Sequence, residues 1–247
     1  MHLLAQHSED GQSVSVYDTE ELYGEKGNFR ILKFSDNAVQ GAMDLNDPRR
    51  VVFEYPRAII HLMEHNNPDF ERGFIIGHGI GTIARYFSRK WITAAELNEA
   101  VAAYSRDFFG YTGDNVIVGD GREVLSREKA AVHDYIFVDA FTEKGTPLHL
   151  ISKQFFLMAK EKLQPEGYLF LNLMGRGEQD SRIGAIHTTL TEVYRYTKAF
   201  ALPQGSVHDV KNMILAAGNR PIAFQARQLA GFIEVEPAQG YVLTDEG

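Results

Sequence analysis

The sequence predicts an α/β fold: a doubly wound, mostly parallel sheet of seven strands, preceded by a small antiparallel β domain. Three observations predict it. Short apolar runs alternate with helical patterns from Gly73 onward, which favours parallel strands with helices on both faces. The first 50 residues contain only β-type runs separated by turn residues. A glycine-rich turn follows the first apolar run of the alternating part directly, which is typical of a ligand-binding strand-to-helix junction.

The composition is that of a well-packed protein with an acidic surface. The 247 residues suffice for one large α/β domain and a small appendage, and the formal charge is −8. This balance favours a cationic substrate and gives no basic footprint for nucleic acid. The chain has no cysteine, which excludes disulfides and thiolate metal sites, and no apolar run approaches membrane-spanning length. We therefore expect a cytoplasmic protein without nucleic-acid or membrane partners.

Residues 1–50 are expected to form the β domain, and residues 51–247 the larger, ligand-binding α/β domain. The first part has candidate strands at Ser13–Tyr17, Phe29–Phe34 and Val39–Met43, with turns between them. A helix is then predicted over Arg49–His65, because apolar residues recur along one of its faces.

The second part continues with alternating strands and helices. Parallel strands are predicted at Phe74–Ile76, Trp91–Ala95, Asn115–Val118, Tyr135–Asp139 and Tyr168–Leu173. The predicted helices are Gly81–Ser88, Leu97–Phe109, Arg122–Glu128, Ser152–Leu163 and Asp180–Thr197, and a turn is expected over 163–167. Ala199–Leu202 and Asn212–Ala217 are expected to add an antiparallel pair, followed by a short helix near Ile222–Leu229.

The turn Gly77-His78-Gly79-Ile80-Gly81 is the main binding signal. Glycine allows the backbone to approach a bulky ligand closely and to adopt positive φ. The third glycine, Gly81, comes one residue early for the dinucleotide fingerprint, which disfavours a nicotinamide cofactor. The spacing therefore predicts a nucleoside site in which Gly77, Gly79 and Gly81 pack against the ligand.

Acidic residues fall at the carboxyl ends of the next three predicted strands, where ligands bind in open parallel sheets. Glu96 would accept hydrogen bonds from ribose hydroxyls, and Asp120 from the exocyclic amine of adenine, with the base lying against Gly121. Asp139 ends the most apolar strand, so it is the best placed to act on a reacting group. Taken singly, each acid is more typical of a helix cap or a loop residue, and the binding prediction depends on all three together.

These stretches together resemble the polyamine aminopropyltransferases, the spermidine synthase family, which have a Rossmann-like core of the class I S-adenosylmethionine methyltransferase type. The resemblance covers about residues 10–200. It is carried by Ile75–Gly81, Glu96, Val118–Gly121, Ile136–Asp139 and Leu163–Gly167, with Val39-Gln40 and Phe53–Tyr55 before the core.

The resemblance implies transfer of an aminopropyl group from decarboxylated S-adenosylmethionine to a small amine, putrescine or another polyamine. Gln40, Glu96, Asp120 and Gly121 would hold the nucleoside. Asp139 would accept the proton of the attacking amine, Tyr55 would lie on the substrate side, and the loop 141–150 would cover the amine pocket. It also implies a homodimer or homotetramer, with no tightly bound cofactor and no metal.

Two departures from the family pattern concern the acceptor. Residues 139–142 read Asp-Ala-Phe-Thr, so Thr142 replaces the second aspartate of the family signature, and Glu143 is a candidate substitute. Pro56 and Arg57 follow Tyr55, and an arginine would be unfavourable beside a cationic diamine unless it points away.

Two other functions stay open at this point: methyl transfer from S-adenosylmethionine itself, and nucleoside binding without catalysis. The sequence His61-Leu62-Met63-Glu64-His65 matches a zinc-binding pattern, but no third ligand is identifiable, and we interpret it as a helix end. His78 is interpreted as a structural residue of the glycine turn.

Overall fold

The structure of the protein, a computed structural model, describes residues 1–9, 12–34, 39–142, 145–203 and 210–246. Its first part is a four-stranded antiparallel sheet in the order β1-β2-β3-β4. The strands are β1 (His2–Glu9), β2 (Gln12–Leu22), β3 (Glu25–Phe34) and β4 (Val39–Asp44). The three predicted strands lie within β2, β3 and β4. β1 was not predicted, because it is an edge strand with mostly exposed side chains and is held by backbone pairing with β2.

The helix α1 (Glu54–Asn66) begins five residues later than the predicted start at Arg49. Residues 48–50 form a turn instead, in which the N–H of Arg50 donates to the carbonyl of Asp47 at 3.0 Å. Because α1 starts late, Tyr55 lies in its first turn rather than in its middle. The boundary between the two expected domains, at residue 50, stays a prediction.

The second sheet has eight strands in the order β12-β10-β11-β9-β8-β5-β6-β7. Its strands are β5 (Arg72–Ile76), β6 (Trp91–Glu96), β7 (Val116–Val118), β8 (His133–Val138), β9 (Leu163–Gly175), β10 (Tyr196–Ala201), β11 (Lys211–Gly218) and β12 (Ile233–Val235). All seven predicted strands are present, and β5–β9 run parallel as expected. The prediction missed the eighth strand, β12, a three-residue edge that pairs only with β10.

Within the described ranges, five α-helices follow α1: α2 (Thr82–Tyr86), α3 (Glu99–Asp107), α4 (Gly121–Ser126), α5 (Lys153–Lys162) and α6 (Ser181–Thr191). The helix predicted to reach Thr197 ends at Thr191, because Tyr196 and Thr197 pair with β11. The turn predicted over 163–167 is part of β9: Leu163 pairs with His133 and Tyr168 with Tyr135, and the residues between them bulge. Near residue 222, only a 3₁₀ turn forms, at Ala226–Gln228.

The helices cover both faces of the large sheet. The core on one face is formed with α4, α5 and α6, and the core on the other with α1 and α2. The N-terminal sheet packs through Val14, Leu32 and Met43 against Ile80 in the glycine turn and Val101 in α3. This contact places the small sheet beside the carboxyl ends of the parallel strands. No helix of the described residues is long and apolar enough to cross a membrane.

The strand order reverses beside β5. From β5 the chain continues to β6 and β7 on one side, whereas β8 and β9 lie on the other. Ile76 of β5 is in register with Ala95 of β6 and with Val138 of β8. The residues that follow these positions, Gly77, Glu96 and Asp139, therefore meet at one edge of the sheet, where doubly wound folds bind their ligands.

Candidate active site

A cavity of about 760 Å³ opens over this edge. It extends from the glycine turn to the ends of β8, β9 and β11, and residues of the N-terminal sheet form one wall. Nine of the residues expected in the site line it: Gln40, Tyr55, Gly77, Gly79, Glu96, Asp120, Gly121, Asp139 and Thr142. Two expected residues are not in this set. Glu143 lies outside the described residues, and Gly81 points elsewhere.

Gly77 is required by the close approach of two strand ends. Its φ is +94°, and a Cβ built on it would lie 2.0 Å from the carbonyl oxygen of Asp139. The backbone N–H of Gly77 donates to the carbonyl of Ala95, and that of Asp139 donates to the carbonyl of Ile76. Gly77 thus lets the turn and the expected base lie side by side. Gly81 has φ +81° and faces the rings of Tyr111 and His78, so it shapes the turn without lining the cavity.

His78 is buried inside the glycine turn. Its Nε2 lies 3.2 Å from the hydroxyl of Ser105, and its ring packs edge-on against Tyr111 with centroids 4.5 Å apart. Burial, together with the charges of Arg106 and Arg85, lowers the pKa of His78 to about 4. The imidazole is therefore neutral at physiological pH, which fits the structural role expected for it.

Glu96 fastens the glycine turn. One carboxylate oxygen accepts the backbone N–H of His78 at 2.9 Å and that of Gly79 at 3.2 Å, and the other accepts that of Asn98 at 3.0 Å. Burial raises the pKa of Glu96 despite these hydrogen bonds, and only 8% of the residue is exposed. The carboxylate already accepts several backbone N–H groups. A ribose hydroxyl would therefore have to share it with these donors.

Asp120 caps α4 and also contacts the loop over the cavity. Its Oδ1 accepts the backbone N–H of Glu123 at 3.0 Å, and its Oδ2 lies 2.8 Å from Nε2 of His149. Burial acts to raise the pKa of Asp120, but these two partners and the backbone N–H of Arg122 outweigh it, and the pKa is lowered. A Cβ at Gly121 would lie 2.3 Å from Cγ2 of Ile76, so glycine lets α4 begin against β5. Sequence reasoning missed His149.

Asp139 lines the cavity beside the glycine turn, and it also contacts β9, which pairs with β11. The Nδ2 of Asn172 donates to its Oδ1 at 2.8 Å, and the hydroxyl of Tyr55 forms a second hydrogen bond with the carboxylate. Burial raises the pKa of Asp139 to about 6; these two hydrogen bonds oppose the shift and the charge of Glu96 adds to it. Burial and the neighbouring Asp139 raise the pKa of Tyr55 well above its usual range.

Two amides behind Asp139 were also missed from the sequence. Asn172 is in β9 and is 1% exposed, and its Oδ1 accepts a hydrogen bond from Nδ2 of Asn212 in β11 at 3.0 Å. A signal for Asn172 was present, since it interrupts the apolar run of a core strand, where an amide needs buried partners. Asn212 gives no such signal, because only the pairing of β11 with β9 brings it close.

The side of the cavity expected to bind the acceptor has mixed charge. Thr142 is tied to Gly145 by a hydrogen bond from its hydroxyl to the carbonyl at 2.8 Å and by backbone bonds in both directions. Arg176 and Arg182 lie at the rim. Arg57 is exposed, donates to Phe53 and Glu54, and does not line the cavity, so it points away from the pocket.

The histidines of α1 have a structural explanation. Nε2 of His61 accepts the backbone N–H of Gln225 at 3.0 Å, and its ring stacks on that of His65. Over the described ranges, no group of three or more histidine, aspartate and glutamate side chains is arranged to hold a metal ion.

The doubly wound sheet, with the glycine turn and the acids at successive strand ends, defines an α/β protein of the methyltransferase fold class. The family model of the spermine/spermidine synthase domain matches residues 52–206. The chain therefore belongs to the spermine/spermidine synthase family.

Two curated relatives are similar in sequence to this chain, and a solved structure is similar in fold. A polyamine aminopropyltransferase of Vibrio vulnificus (strain CMCP6) is 25% identical over 245 residues, which cover 91% of this chain and 80% of the relative. Putrescine N-methyltransferase 1 of Nicotiana tabacum is 26% identical over 173 residues, covering 64% of this chain and 46% of the relative. The crystal structure of a probable spermidine synthase from Corynebacterium glutamicum shares the fold, with a TM-score of 0.79 at 19% identity over 94% of this chain and 90% of that one.

Proposed function

We propose that this protein is an aminopropyltransferase that moves the aminopropyl group of decarboxylated S-adenosylmethionine to a small amine and releases methylthioadenosine. The single observation that carries the proposal is the position of Asp139, which lies next to Gly77 of the glycine turn and is held by Tyr55 and Asn172. A carboxylate there faces both a nucleoside on the turn and an amine arriving from the other half of the cavity. Membership of the family supports the same reaction.

The chemistry requires a base because the acceptor is protonated in solution. An alkyl amine has a pKa of about 10, so freeing its lone pair at pH 7 costs about 4 kcal/mol. As the nitrogen attacks the carbon next to the sulfonium, the carbon–sulfur bond breaks and its electron pair goes to sulfur, leaving a neutral thioether. The nitrogen proton passes to Asp139, which is mostly ionised at pH 7 with a pKa of about 6. Holding both reactants in one cavity supplies a further share of the rate.

The nucleoside side of the site would consist of Gln40, the glycine turn, Glu96, Asp120 and Gly121. Glu96 would accept from ribose hydroxyls while keeping its bonds to the turn, and Asp120 would accept from the adenine amine beside His149. The acceptor side would consist of Asp139, Tyr55 and Thr142, with Glu143 as a further candidate. The hydrogen bond between Tyr55 and Asp139 supports this division, because it places the tyrosine beside the proposed base.

The protein is expected to be cytoplasmic, to act without a resident cofactor and to form a homodimer or homotetramer. Putrescine or another polyamine is the expected acceptor class. The putrescine N-methyltransferase relative makes the carboxylated donor the alternative to be tested, because the two donors differ by one carboxylate.

The test is incubation of the protein with decarboxylated S-adenosylmethionine and a panel of mono-, di- and triamines, followed by chromatographic detection of methylthioadenosine. Release with at least one amine is expected, and Asp139→Asn should lower the rate at least about 100-fold. A parallel set with S-adenosylmethionine would reveal methyl transfer. No turnover with either donor, despite nucleoside binding in calorimetry, would replace the proposal with a binding function.

A further inference from the structure

We propose that Asn172 and Asn212 form a hydrogen-bond relay of fixed direction that holds Asp139 in place and in its proton-accepting form. The inference rests on the proposed role of Asp139 as the base. It assigns Asn172 and Asn212 as positioning residues, since they act through Asp139.

Asn172 is an amide in a buried stretch of β9. Asn172 is 1% exposed and lies between Leu171 and Leu173, both in the apolar core. An unpaired amide there would be strongly unfavourable. Both of its polar atoms are satisfied, however: its Nδ2 donates to Asp139 and its Oδ1 accepts from Asn212. The amide therefore connects two polar groups of neighbouring strands.

The orientation of the Asn172 amide follows from the charge of its partner. An ionised carboxylate can only accept hydrogen bonds, so Asn172 must present its NH₂ group to Asp139. Its oxygen then points toward β11, where only a donor is satisfactory. Asn212 supplies that donor at 3.0 Å. Because Ile214 is directly opposite Asn172, and Met174 directly opposite Asn212, the two amides are diagonal neighbours on one face of the sheet. With its NH₂ group toward Asn172, Asn212 favours the orientation in which Asn172 presents its own NH₂ group to Asp139.

The surroundings of Asp139 influence its protonation in both directions. Burial and the charge of Glu96 from β6 favour its protonated form, and Asn172 and Tyr55 favour the ionised form. Asn172 is the strongest of the opposing partners. The other ionisable side chains that line the same cavity are His78, Asp120, His149, Arg176, Asp180 and Arg182. The relay is thus the main support for an ionised base in a site that otherwise disfavours one.

The test is a titration of the Asp139 carboxyl by ¹³C NMR in protein labelled at aspartate, with the Asp139→Asn spectrum as the assignment. This readout needs no turnover, so it stays valid even if no amine proves to be an acceptor. Asn172→Leu is expected to raise the midpoint by roughly one unit or more, because a donor to the ionised form is lost. Asn212→Leu should raise it less, since Asn172 is retained but can turn.

Asn66→Leu is the matched control. It removes an amide of α1 that donates to Leu62 and Ala223, outside the cavity, and should lower stability without moving the Asp139 midpoint. Where Asp139 serves as the base, the acid limb of the pH–rate profile should move with the NMR midpoint, and activity of Asn172→Leu should recover at high pH. Unchanged midpoints in both folded variants would overturn the relay. If Asn172→Leu does not fold, Asn212→Leu decides alone.

Discussion

The hydroxyl of Tyr55, in the first turn of α1, hydrogen-bonds to the carboxylate of Asp139 at the end of β8. The bond joins the helix that follows the N-terminal sheet to the strand at the centre of the large sheet. It also makes Tyr55 one of the two side chains that oppose the effect of burial on Asp139.

We expect Tyr55→Phe to raise the pKa of Asp139 above its value of about 6, because a donor to the ionised form is removed. The rate needs the ionised base, so it falls as the pH drops through this pKa. The acid limb of kcat/KM should therefore move to higher pH, and a rise of about one unit would lower the rate at pH 7 about twofold. A pH–rate profile at saturating nucleoside measures this, and an unmoved limb with a lower plateau would indicate a role in amine binding alone.

Asp139→Asn should make the protein more stable at neutral pH while it inactivates it. The folded pKa of Asp139, about 6, lies above its ordinary value of 3.8, so the folded state holds the proton more tightly. This group's contribution therefore lowers stability as pH rises from about 4 to 6 and stays unfavourable above. Removing the charge should add about 1–3 kcal/mol at pH 7 and little at pH 4, measured by urea unfolding.

Asp18→Asn is the control, for which a stability change of opposite sign is expected. A bidentate hydrogen bond with Arg30 lowers the pKa of Asp18, so its charge stabilises the fold at neutral pH. This variant should be destabilised at pH 7. A stability loss in Asp139→Asn as well would contradict the assignment of a desolvated carboxylate.

Gly77→Ala is expected to abolish folding or to cost more than about 3 kcal/mol, because the new methyl group would lie 2.0 Å from the backbone oxygen of Asp139. Gly24→Ala has a similar positive φ but no atom within 4 Å, so it isolates the conformational cost of about 1 kcal/mol. Urea denaturation of both variants compares the two effects. Equal losses would show that φ alone, and not the contact, requires Gly77.

Glu96→Gln should weaken nucleoside binding and stability together. The side chain accepts backbone N–H groups with both oxygens, so an amide would turn one acceptor into a donor facing another donor. A loss of about 1–3 kcal/mol is expected. Calorimetry with methylthioadenosine and thermal unfolding measure the two effects. Glu123→Gln, on an exposed side chain, should change stability by less than about 0.5 kcal/mol.

The strands that are buried on both faces could be predicted from the sequence, since β5, β6, β8 and β9 are apolar runs. The edge strands β1 and β12 could not be predicted, because each is formed by backbone pairing with another strand. The cavity-lining acids were predictable because the carboxyl ends of parallel strands converge.

The hydrogen-bond partners of the cavity-lining acids could not be predicted in the same way. Asn212 and His149 reach the site through strand pairing and loop packing, which leave no local pattern. Gly81 was expected on the cavity because it belongs to the glycine turn, but its free side faces Tyr111.

The reversal of strand order beside β5 divides the site between different stretches of the chain. The proposed nucleoside half comes mainly from residues 77–121, and the amine half mainly from 139–212 together with Tyr55. If the proposed division holds, mutations in β9, β11 or the loop 145–150 should alter which amine is accepted without disturbing the turn proposed to hold the sulfonium donor. An architecture of this kind would separate the choice of the acceptor from the binding of the donor.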